Sequence, residues 1–161
     1  MSIISQIATA LGKPKYVIED ILFIAPYRYK IYYIPKRNHG FRKIAQPSKE
    51  LKECQRAFIT TTELPVHKCA MAYRKGLSIK DNAIAHKNQA FLLKLDLENF
   101  FNSITPDIFW RAWKLSGREL LSEQNKIWIE KLLFWSLEDR LVLSVGAPSS
   151  PNIFQFLHVG F

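Results

Sequence analysis

The stretch that decides the fold of this chain reads Phe91-Leu92-Leu93-Lys94-Leu95-Asp96. This short apolar run predicts a β-strand, and the alternation of a strand sets Leu92, Lys94 and Asp96 on one face. A charged residue that closes an apolar strand is costly unless it reaches solvent, an ion-pair partner or a metal. Asp96 is therefore a candidate metal ligand, and the alternative is a loop anchor or a salt bridge.

The residues after this strand supply part of a metal site. Glu98 and Asn99 follow Asp96 closely. One carboxylate and a nearby backbone carbonyl can hold one Mg²⁺ beside the phosphates of a nucleotide. Phosphoryl transfer by two metal ions normally needs more carboxylates from other strands. The last acidic residue of the chain is Asp139, so the segment after it supplies no such ligand.

Two further segments have compositions that suit a ligand. Small residues make up the segment Gly146-Ala147-Pro148-Ser149-Ser150-Pro151, which lets the backbone approach a ligand closely or forms an ordinary turn. Two basic residues precede a capped helix in the segment Tyr73-Arg74-Lys75-Gly76-Leu77-Ser78. That second segment indicates either a phosphate contact or a polar loop.

Basic residues are concentrated between positions 28 and 49. This segment contains no Asp or Glu and seven Lys or Arg residues, namely Arg28, Lys30, Lys36, Arg37, Arg42, Lys43 and Lys49. Tyr29, Tyr32, Tyr33 and Phe41 are interleaved with them. Basic and aromatic side chains together suit phosphate contacts and base stacking. With a net charge of +9 for the whole chain, the segment favours nucleic acid or a nucleotide as partner over a solvated hairpin face.

The composition of the chain indicates a globular protein. Its 161 residues are 48% hydrophobic, which is enough for one domain with a core. Cys54 and Cys69 form no CxxC pair, so we expect two buried thiols in a reducing cytosol and no zinc site. No apolar run approaches the ~20 residues of a membrane span, and the N-terminus has no signal-peptide pattern. We therefore expect a cytoplasmic protein without membrane contact.

Local patterns along the chain predict an α+β fold. We expect helices up to residue 25 with a break at 12–14, a basic β-hairpin over 28–45, and a helix that Ser48 opens and residues 63–66 end. Further helices are predicted over 78–87, from Thr105 to Gly117, and over 122–136. Strands are predicted at 91–96 and 141–143.

Four segments resemble, in order, the motifs of reverse transcriptases of the bacterial retron and group II intron type. Arg42-Lys43-Ile44 with Pro47 is similar to the fingers motif, and residues 72–78 with Asn82, Ala83 and His86 are similar to the motif after it. Residues 95–103 resemble the first catalytic-aspartate motif, and residues 146–152 resemble the next palm motif. The hairpin sequence at 27–32 and the Ala-Pro-Ser-Ser-Pro string favour the retron type.

This resemblance implies roles for individual residues. It implies that Asp96 binds both catalytic Mg²⁺ ions and that Leu97 offers its backbone carbonyl to one of them. It implies that Phe101 excludes the 2′-hydroxyl of a ribonucleotide. The implied contacts to substrates are a triphosphate clamp of Arg42 and Lys43, support of nucleotide and template by Gly146, Ala147 and Pro148, and nucleic-acid contacts of Arg28, Lys30, Arg37, Arg74 and Lys75.

The same resemblance implies a fold and a reaction. Residues 1–90 are expected to form N-terminal helices and fingers, and residues 91–161 part of the palm, of a right-hand polymerase. Helices are expected to pack on a small antiparallel sheet with the basic hairpin. In the implied reaction, a primer hydroxyl attacks the α-phosphate of a deoxynucleotide on an RNA template. Phage defence is the implied pathway.

The sequence departs from the family pattern in two ways. Val145 stands where the family often has Gln, and the Tyr-x-Asp-Asp motif is missing. We therefore expect that the 161 residues do not polymerise alone. The chain is then either the product of a frameshift or early stop, or one part of a split enzyme that a second polypeptide completes. Two other hypotheses are a nucleic-acid-binding module without catalysis, and a structural or toxin–antitoxin partner with an unfinished core and an open sheet edge.

Overall fold

The computed structural model describes residues 2–36, 39–74 and 76–157, so Arg37 and Lys75 lie outside the described residues. Within these ranges the chain has an α+β fold, and none of its helices is long and apolar enough to cross a bilayer. The elements are α1 (Ile3–Leu11), α2 (Lys15–Phe23), a 3₁₀ turn (Ala25–Tyr27), β1 (Tyr29–Pro35), β2 (Phe41–Pro47), α3 (Lys49–Thr62), α4 (Ile79–Ala85), α5 (Phe100–Ser103), α6 (Pro106–Leu115), α7 (Glu123–Leu133), β3 (Phe134–Leu137), β4 (Arg140–Leu143) and α8 (Ser150–Leu157).

Two short helices begin the chain, which confirms the predicted break between them. The Ser2 hydroxyl caps α1 by accepting the Ser5 N–H at 3.2 Å. Gly12 ends α1 with a φ of 61°, a left-handed conformation that glycine adopts at little cost. Pro14 then precedes α2 and cannot continue the first helix.

The predicted basic hairpin is also confirmed. β1 and β2 pair antiparallel in a register that runs from Tyr29 opposite Pro47 to Pro35 opposite Phe41. Side chains along most of β1 are exposed on both faces, whereas the second half of β2 is largely buried. The hairpin therefore attaches to the body of the protein mainly through β2, and its strand ends at Pro35 and Phe41 are exposed.

Helix α3 connects the hairpin to the core. Ser48 caps it as predicted, by accepting the Leu51 N–H at 3.3 Å. Leu51, Cys54 and Phe58 form its buried stripe and pack in one hydrophobic core with residues of α1, α2, α6, α7 and α8. Removal of this apolar surface from water is the main driving force for the fold. The core combines residues from both sides of position 90.

The region after α7 differs from the prediction. The helix predicted over 122–136 ends at Leu133, and Trp135 lies in β3. β3 pairs antiparallel with β4, which gives the predicted strand at 141–143 a partner that the sequence did not indicate. The turn between them consists of Glu138 and Asp139 at φ values of 49° and 59°. These residues lack the Asn-Gly or Asp-Gly signal of a hairpin, so the pairing was not recognisable from turn chemistry.

The segment 91–97 contradicts the prediction of a strand. Its backbone is irregular, and its apolar side chains are in solvent, with Phe91 93%, Leu93 80% and Leu95 75% exposed. The sheets of the described chain are the hairpins β1–β2 and β3–β4, and neither pairs with this segment. A strand needs a neighbour that satisfies its backbone N–H and C=O groups. Without such a neighbour in residues 2–36, 39–74 and 76–157, the apolar run stays outside the core.

The two cysteines occupy different environments, so the prediction of two buried thiols is wrong for Cys69. Cys54 is a buried free thiol on α3, and Cys69 is an exposed free thiol in the irregular segment after that helix. Burial raises the pKa of the Cys54 thiol to about 11. A thiol is nucleophilic only as the thiolate, so Cys54 is protected both by its burial and by its protonation.

We expect a thiol-reactive dye to distinguish the two cysteines. At pH 8, Ellman's reagent should modify one thiol rapidly and the second only after the chain is unfolded in denaturant. Cys69→Ser should remove the rapid phase and leave the slow one. Rapid modification of two thiols in the native chain would contradict the packing of α3 in the core.

Candidate functional site

Hydrogen bonds connect strand β2 to the residues just before the Gly-Ala-Pro turn. The Ala45 N–H donates to the Val145 carbonyl at 3.1 Å, and the Ser144 hydroxyl donates to the Ala45 carbonyl. Ser144 is fully buried, so this bond is shielded from water. We call these two hydrogen bonds the β2 clasp. The clasp brings the strand that carries Arg42 and Lys43 beside the turn that begins at Gly146.

Gly146 makes the close approach in the β2 clasp sterically feasible. Its φ is +124°, a conformation that side-chain-bearing residues rarely adopt. A Cβ atom at this position would lie 3.0 Å from Ile44 Cγ2 and 3.2 Å from the Ala45 carbonyl oxygen. The sequence of this segment predicts either a close approach of a ligand to the backbone or an ordinary turn. In the structure its immediate neighbour is β2.

The rest of the turn is fixed by its own serines. The Ser150 hydroxyl donates to the Ser144 carbonyl at 2.7 Å, and α8 begins at the same residue. Ala147 is buried, and Pro148 is half-buried. Ser149 is also fully buried, and its hydroxyl has no hydrogen-bond partner among the described residues. The turn is therefore a rigid part of the core surface.

Helix α5 lies next to the same region through aromatic contacts. The rings of Phe101 and Phe154 are 6.3 Å apart, and those of Phe100 and Phe154 are 5.1 Å apart. The Leu143 N–H also donates to the Ile104 carbonyl at 2.9 Å, which ties the end of α5 to β4. Phe101 is therefore held beside α8, the helix that follows the Gly-Ala-Pro turn.

Asp96 and Leu97 occupy a different environment from these residues. Both are exposed in the irregular segment 91–97, and Asp96 has no hydrogen bond or ion pair with the described part of the chain. Within that part no three His, Cys, Asp or Glu side chains form a metal-binding group. Carboxylate and carbonyl oxygens suit Mg²⁺, which accepts one or two protein carboxylates together with substrate phosphates. The two residues therefore match Mg²⁺ in donor type.

The base of the hairpin rests on residues that the sequence analysis did not single out. The ring of Tyr29 is 6.0 Å from that of Trp135, and Lys43 Nζ lies 5.6 Å from the centre of the same indole ring. Gln55 Nε2 donates to the Tyr29 hydroxyl at 3.2 Å and to the Leu132 carbonyl at 2.9 Å. Burial raises the pKa of the Tyr29 phenol, so it stays neutral. Mostly apolar segments of similar length lie before and after Glu138 and Asp139, as in a hairpin whose turn is at these two residues. This pattern is the signal that could have placed Trp135 in a strand.

The remaining basic residues are distributed over two regions. At the base of the hairpin, an Arg28 guanidinium nitrogen lies 3.8 Å from a Glu50 carboxylate oxygen, while Lys30 is exposed. Arg74 is exposed in the loop before α4, and its guanidinium donates to the Lys68 carbonyl at 3.2 Å. The Gln155 side chain donates to the Ala72 carbonyl, which anchors this loop to α8.

Comparison with known proteins bears on this arrangement. Residues 34–159 match the family described as reverse transcriptase (RNA-dependent DNA polymerase). The chain belongs to the reverse transcriptase family. It is 44% identical over 140 residues to the Retron Ec83 reverse transcriptase of Escherichia coli, a match that covers 83% of this chain and 44% of that protein. This confirms the resemblance that the four sequence motifs indicated.

Two further relatives of the chain are also named as retron reverse transcriptases. It is 40% identical over 137 residues to the Retron Mx162 reverse transcriptase of Myxococcus xanthus, covering 74% of this chain and 27% of that protein. It is 32% identical over 139 residues to the Retron Ec86 reverse transcriptase of Escherichia coli, covering 83% of this chain and 41% of that protein. The chain thus spans less than half the length of these curated relatives.

Substitution of Gly146 tests the steric part of the β2 clasp. Gly146→Ala should lower the free energy of unfolding through an unfavourable φ and through overpacking against Ile44 and Ala45, the latter worth about 1–3 kcal/mol. Gly117→Ala is the matched control, because Gly117 also has a positive φ of +71° but no atom within 4 Å of a built Cβ. Gly117→Ala should lower the free energy of unfolding only through its unfavourable φ, by roughly 1–2 kcal/mol. Urea unfolding measures both, and equal losses would contradict the close approach.

Proposed function

We propose that this chain forms the fingers and part of the palm of a right-hand polymerase whose complete form synthesises DNA on an RNA template. Residues 1–90 form the N-terminal helices and fingers, and residues 91–161 form the palm portion. The observation that carries the proposal is the β2 clasp, because it joins the strand of Arg42 and Lys43 to the glycine turn. The family match over residues 34–159 supports the same proposal.

In the proposed mechanism, the hairpin and the adjoining turn together bind the incoming deoxynucleotide. Arg42 and Lys43 neutralise the triphosphate through charge-assisted hydrogen bonds. The backbone of Gly146, Ala147 and Pro148 supports the nucleotide and the template strand. Because the clasp holds the turn against β2, these contacts need little reorganisation when the nucleotide arrives.

Phe101 and Asp96 contribute selectivity and metal binding in this proposal. The contacts of Phe101 with Phe154 keep its ring in a defined position, where it excludes a ribose 2′-hydroxyl by steric contact. The Asp96 carboxylate and the Leu97 carbonyl would hold Mg²⁺. A Mg²⁺ ion held there would supply activation of the primer hydroxyl and stabilisation of the leaving pyrophosphate. Arg28, Lys30 and Arg74 contact the nucleic acid, and so do Arg37 and Lys75, which lie outside the described residues.

We further propose that the 161 residues do not polymerise by themselves. Asp96 is exposed on a segment that lacks a pairing strand in the described chain, so its carboxylate is not held in a fixed position. A strand that pairs with residues 91–97 and brings further carboxylates would complete the site, and a second polypeptide is one source of it. Antiviral defence remains the proposed pathway.

The alternative function is nucleic-acid binding without catalysis. The exposure of β1 on both faces, together with the basic side chains of the hairpin, supports this alternative independently of Asp96. In that case Arg42 and Lys30 matter for binding and Asp96 does not. The two proposals are distinguished by whether completion of the palm restores synthesis.

Primer extension tests the polymerase proposal. With RNA template, DNA primer, deoxynucleotides and Mg²⁺, the 161-residue chain should give no extension above background. A chimera that continues from this chain into the remaining C-terminal part of the Retron Ec83 reverse transcriptase should extend the primer, and Asp96→Ala in the chimera should abolish extension. Robust extension by the short chain, lost on Asp96→Ala, would contradict the need for further carboxylates. A folded chimera without activity would favour the binding module.

Salt-dependent RNA binding tests the role of the hairpin in either case. Arg42→Ala or Lys30→Ala should weaken RNA binding and lower the slope of log K against log salt by about 1 each, because each removes one phosphate contact. Lys114→Ala, which removes an exposed lysine on α6, is the control and should change neither quantity. Binding that is insensitive to salt would argue against a phosphate-binding hairpin.

A further inference from the structure

A depression of about 490 Å³ lies at the base of the basic hairpin, where the proposed nucleic-acid contacts Arg28 and Lys30 meet Tyr27 and Gln46. Its volume falls in the range of about 300–1,000 Å³ that is typical of ligand pockets. We call it the hairpin-root pocket. It is lined by Tyr27, Arg28, Tyr29, Lys30, Gln46, Pro47 and Ser48.

The backbone around the hairpin-root pocket is held by several hydrogen bonds. The Arg28 N–H donates to the Ala25 carbonyl at 3.0 Å, and the Ser48 N–H donates to the Arg28 carbonyl at 2.9 Å. The Tyr29 hydroxyl accepts the Gln55 side-chain N–H at 3.2 Å, and its ring packs against that of Trp135. The pocket is therefore formed before a ligand arrives, which lowers the entropic cost of binding.

Tyr27 offers an aromatic surface on this fixed backbone. It is 76% exposed although the two residues before it, Ala25 and Pro26, are buried. A large ring that faces water on an anchored turn is a suitable platform for a nucleobase, because every base has a π-face that can stack. The neighbouring Tyr29 is instead turned into the core, so the two tyrosines have different roles.

The charges around the pocket suit a phosphate group. Arg28 and Lys30 line it, and the segment from 28 to 49 contains no acidic residue. Among the described residues, Arg28 pairs with the carboxylate of Glu50 at 3.8 Å, and the side chains of this pair are 32% and 49% exposed. Exposed ion pairs of this kind contribute little. Arg28 can therefore exchange Glu50 for a phosphate at low cost.

Gln46 adds a polar group that can read a sugar or a base edge. It lines the pocket and is half-buried, and its side-chain amide has no hydrogen-bond partner among the described residues. An amide offers two donors and an acceptor, so it can pair with a 2′-hydroxyl or with the exposed edge of an unpaired base.

We propose that the hairpin-root pocket binds one nucleotide of single-stranded RNA, with the base stacked on Tyr27 and the phosphate bound by Arg28 and Lys30. The inference rests on the proposed function in that it takes RNA as the partner. The pocket is separate from the proposed triphosphate clamp, because Gln46 is four residues from Arg42 along β2. That separation is roughly 13 Å at 3.3 Å per residue. Unpaired bases are needed, because a base within a duplex does not present its face to the ring.

Fluorescence anisotropy with a labelled 12-nucleotide oligouridine and a labelled 12-base-pair RNA duplex tests the stacking. Tyr27→Leu should weaken binding of the single strand about 10-fold, and Tyr27→Phe should retain it. Binding of the duplex should change less than about 2-fold in both variants. Tyr16→Leu is the matched control, since Tyr16 is 65% exposed on α2, and it should change neither affinity.

A second pair of variants tests the phosphate contact. Glu50→Gln should tighten binding of the oligouridine, because it frees Arg28 from its ion pair. Glu53→Gln removes the same charge from the same helix but breaks the pair with Lys13, whose Nζ lies 2.8 Å from the Glu53 carboxylate. It should therefore tighten binding less than Glu50→Gln does. Equal effects of the two variants would show that only net charge matters and would overturn the contact with Arg28.

The outcomes separate this site from the proposed function. Loss of oligouridine binding on Arg42→Ala, with no change on Tyr27→Leu, would overturn the hairpin-root pocket and leave the nucleic-acid-binding hairpin in place. Equal weakening of single strand and duplex by Tyr27→Leu would overturn base stacking. Failure of the parent chain to bind either RNA would overturn both proposals, provided that circular dichroism shows the chain to be folded.

Discussion

The β2 clasp is the constraint on which the rest of the site depends. It consists of two hydrogen bonds between Ala45 and the pair Ser144 and Val145, one of them fully shielded from water. A hydrogen bond contributes only about 0.5–1.5 kcal/mol net, but a buried group left without its partner costs about 1–3 kcal/mol. The arrangement is therefore specific rather than strong. It selects one position of the hairpin relative to the glycine turn.

Around the clasp, packing fixes the elements that carry the other candidate residues. Trp135 contacts Tyr29 and lies under the Lys43 ammonium, so the base of the hairpin rests on β3. Phe154 contacts Phe100 and Phe101, so α5 rests on α8. These contacts have large aromatic areas and defined ring geometries, which contribute stability and orientation together. The proposed nucleotide-binding residues Lys43 and Phe101 are thus positioned by interactions within the described chain.

The proposed metal ligands Asp96 and Leu97 depend on a constraint of another kind. Residues 91–97 are apolar and exposed, and they belong to neither hairpin sheet of the described chain. Strand formation there requires both a ladder of hydrogen bonds and a cover for the apolar face. Local sequence provides the propensity for a strand, but a neighbouring strand must provide the ladder, and an element packed on the face must provide the cover. This is why the most strand-like run of the sequence forms no strand, and why Asp96 is not fixed as firmly as Phe101.

By itself, the sequence determined the local features and the family. The caps at Ser48 and Ser78, the helix start at Pro106, the break at Gly12 and the basic hairpin were predictable, because each depends on residues a few positions apart. Tertiary structure alone decided the partner of β4, the exposure of residues 91–97 and the β2 clasp. Ser144 and Ala45 are 99 positions apart, and their contact depends on how the whole core packs. No local pattern encodes a contact over such a separation, since any strand of suitable composition can make those two hydrogen bonds.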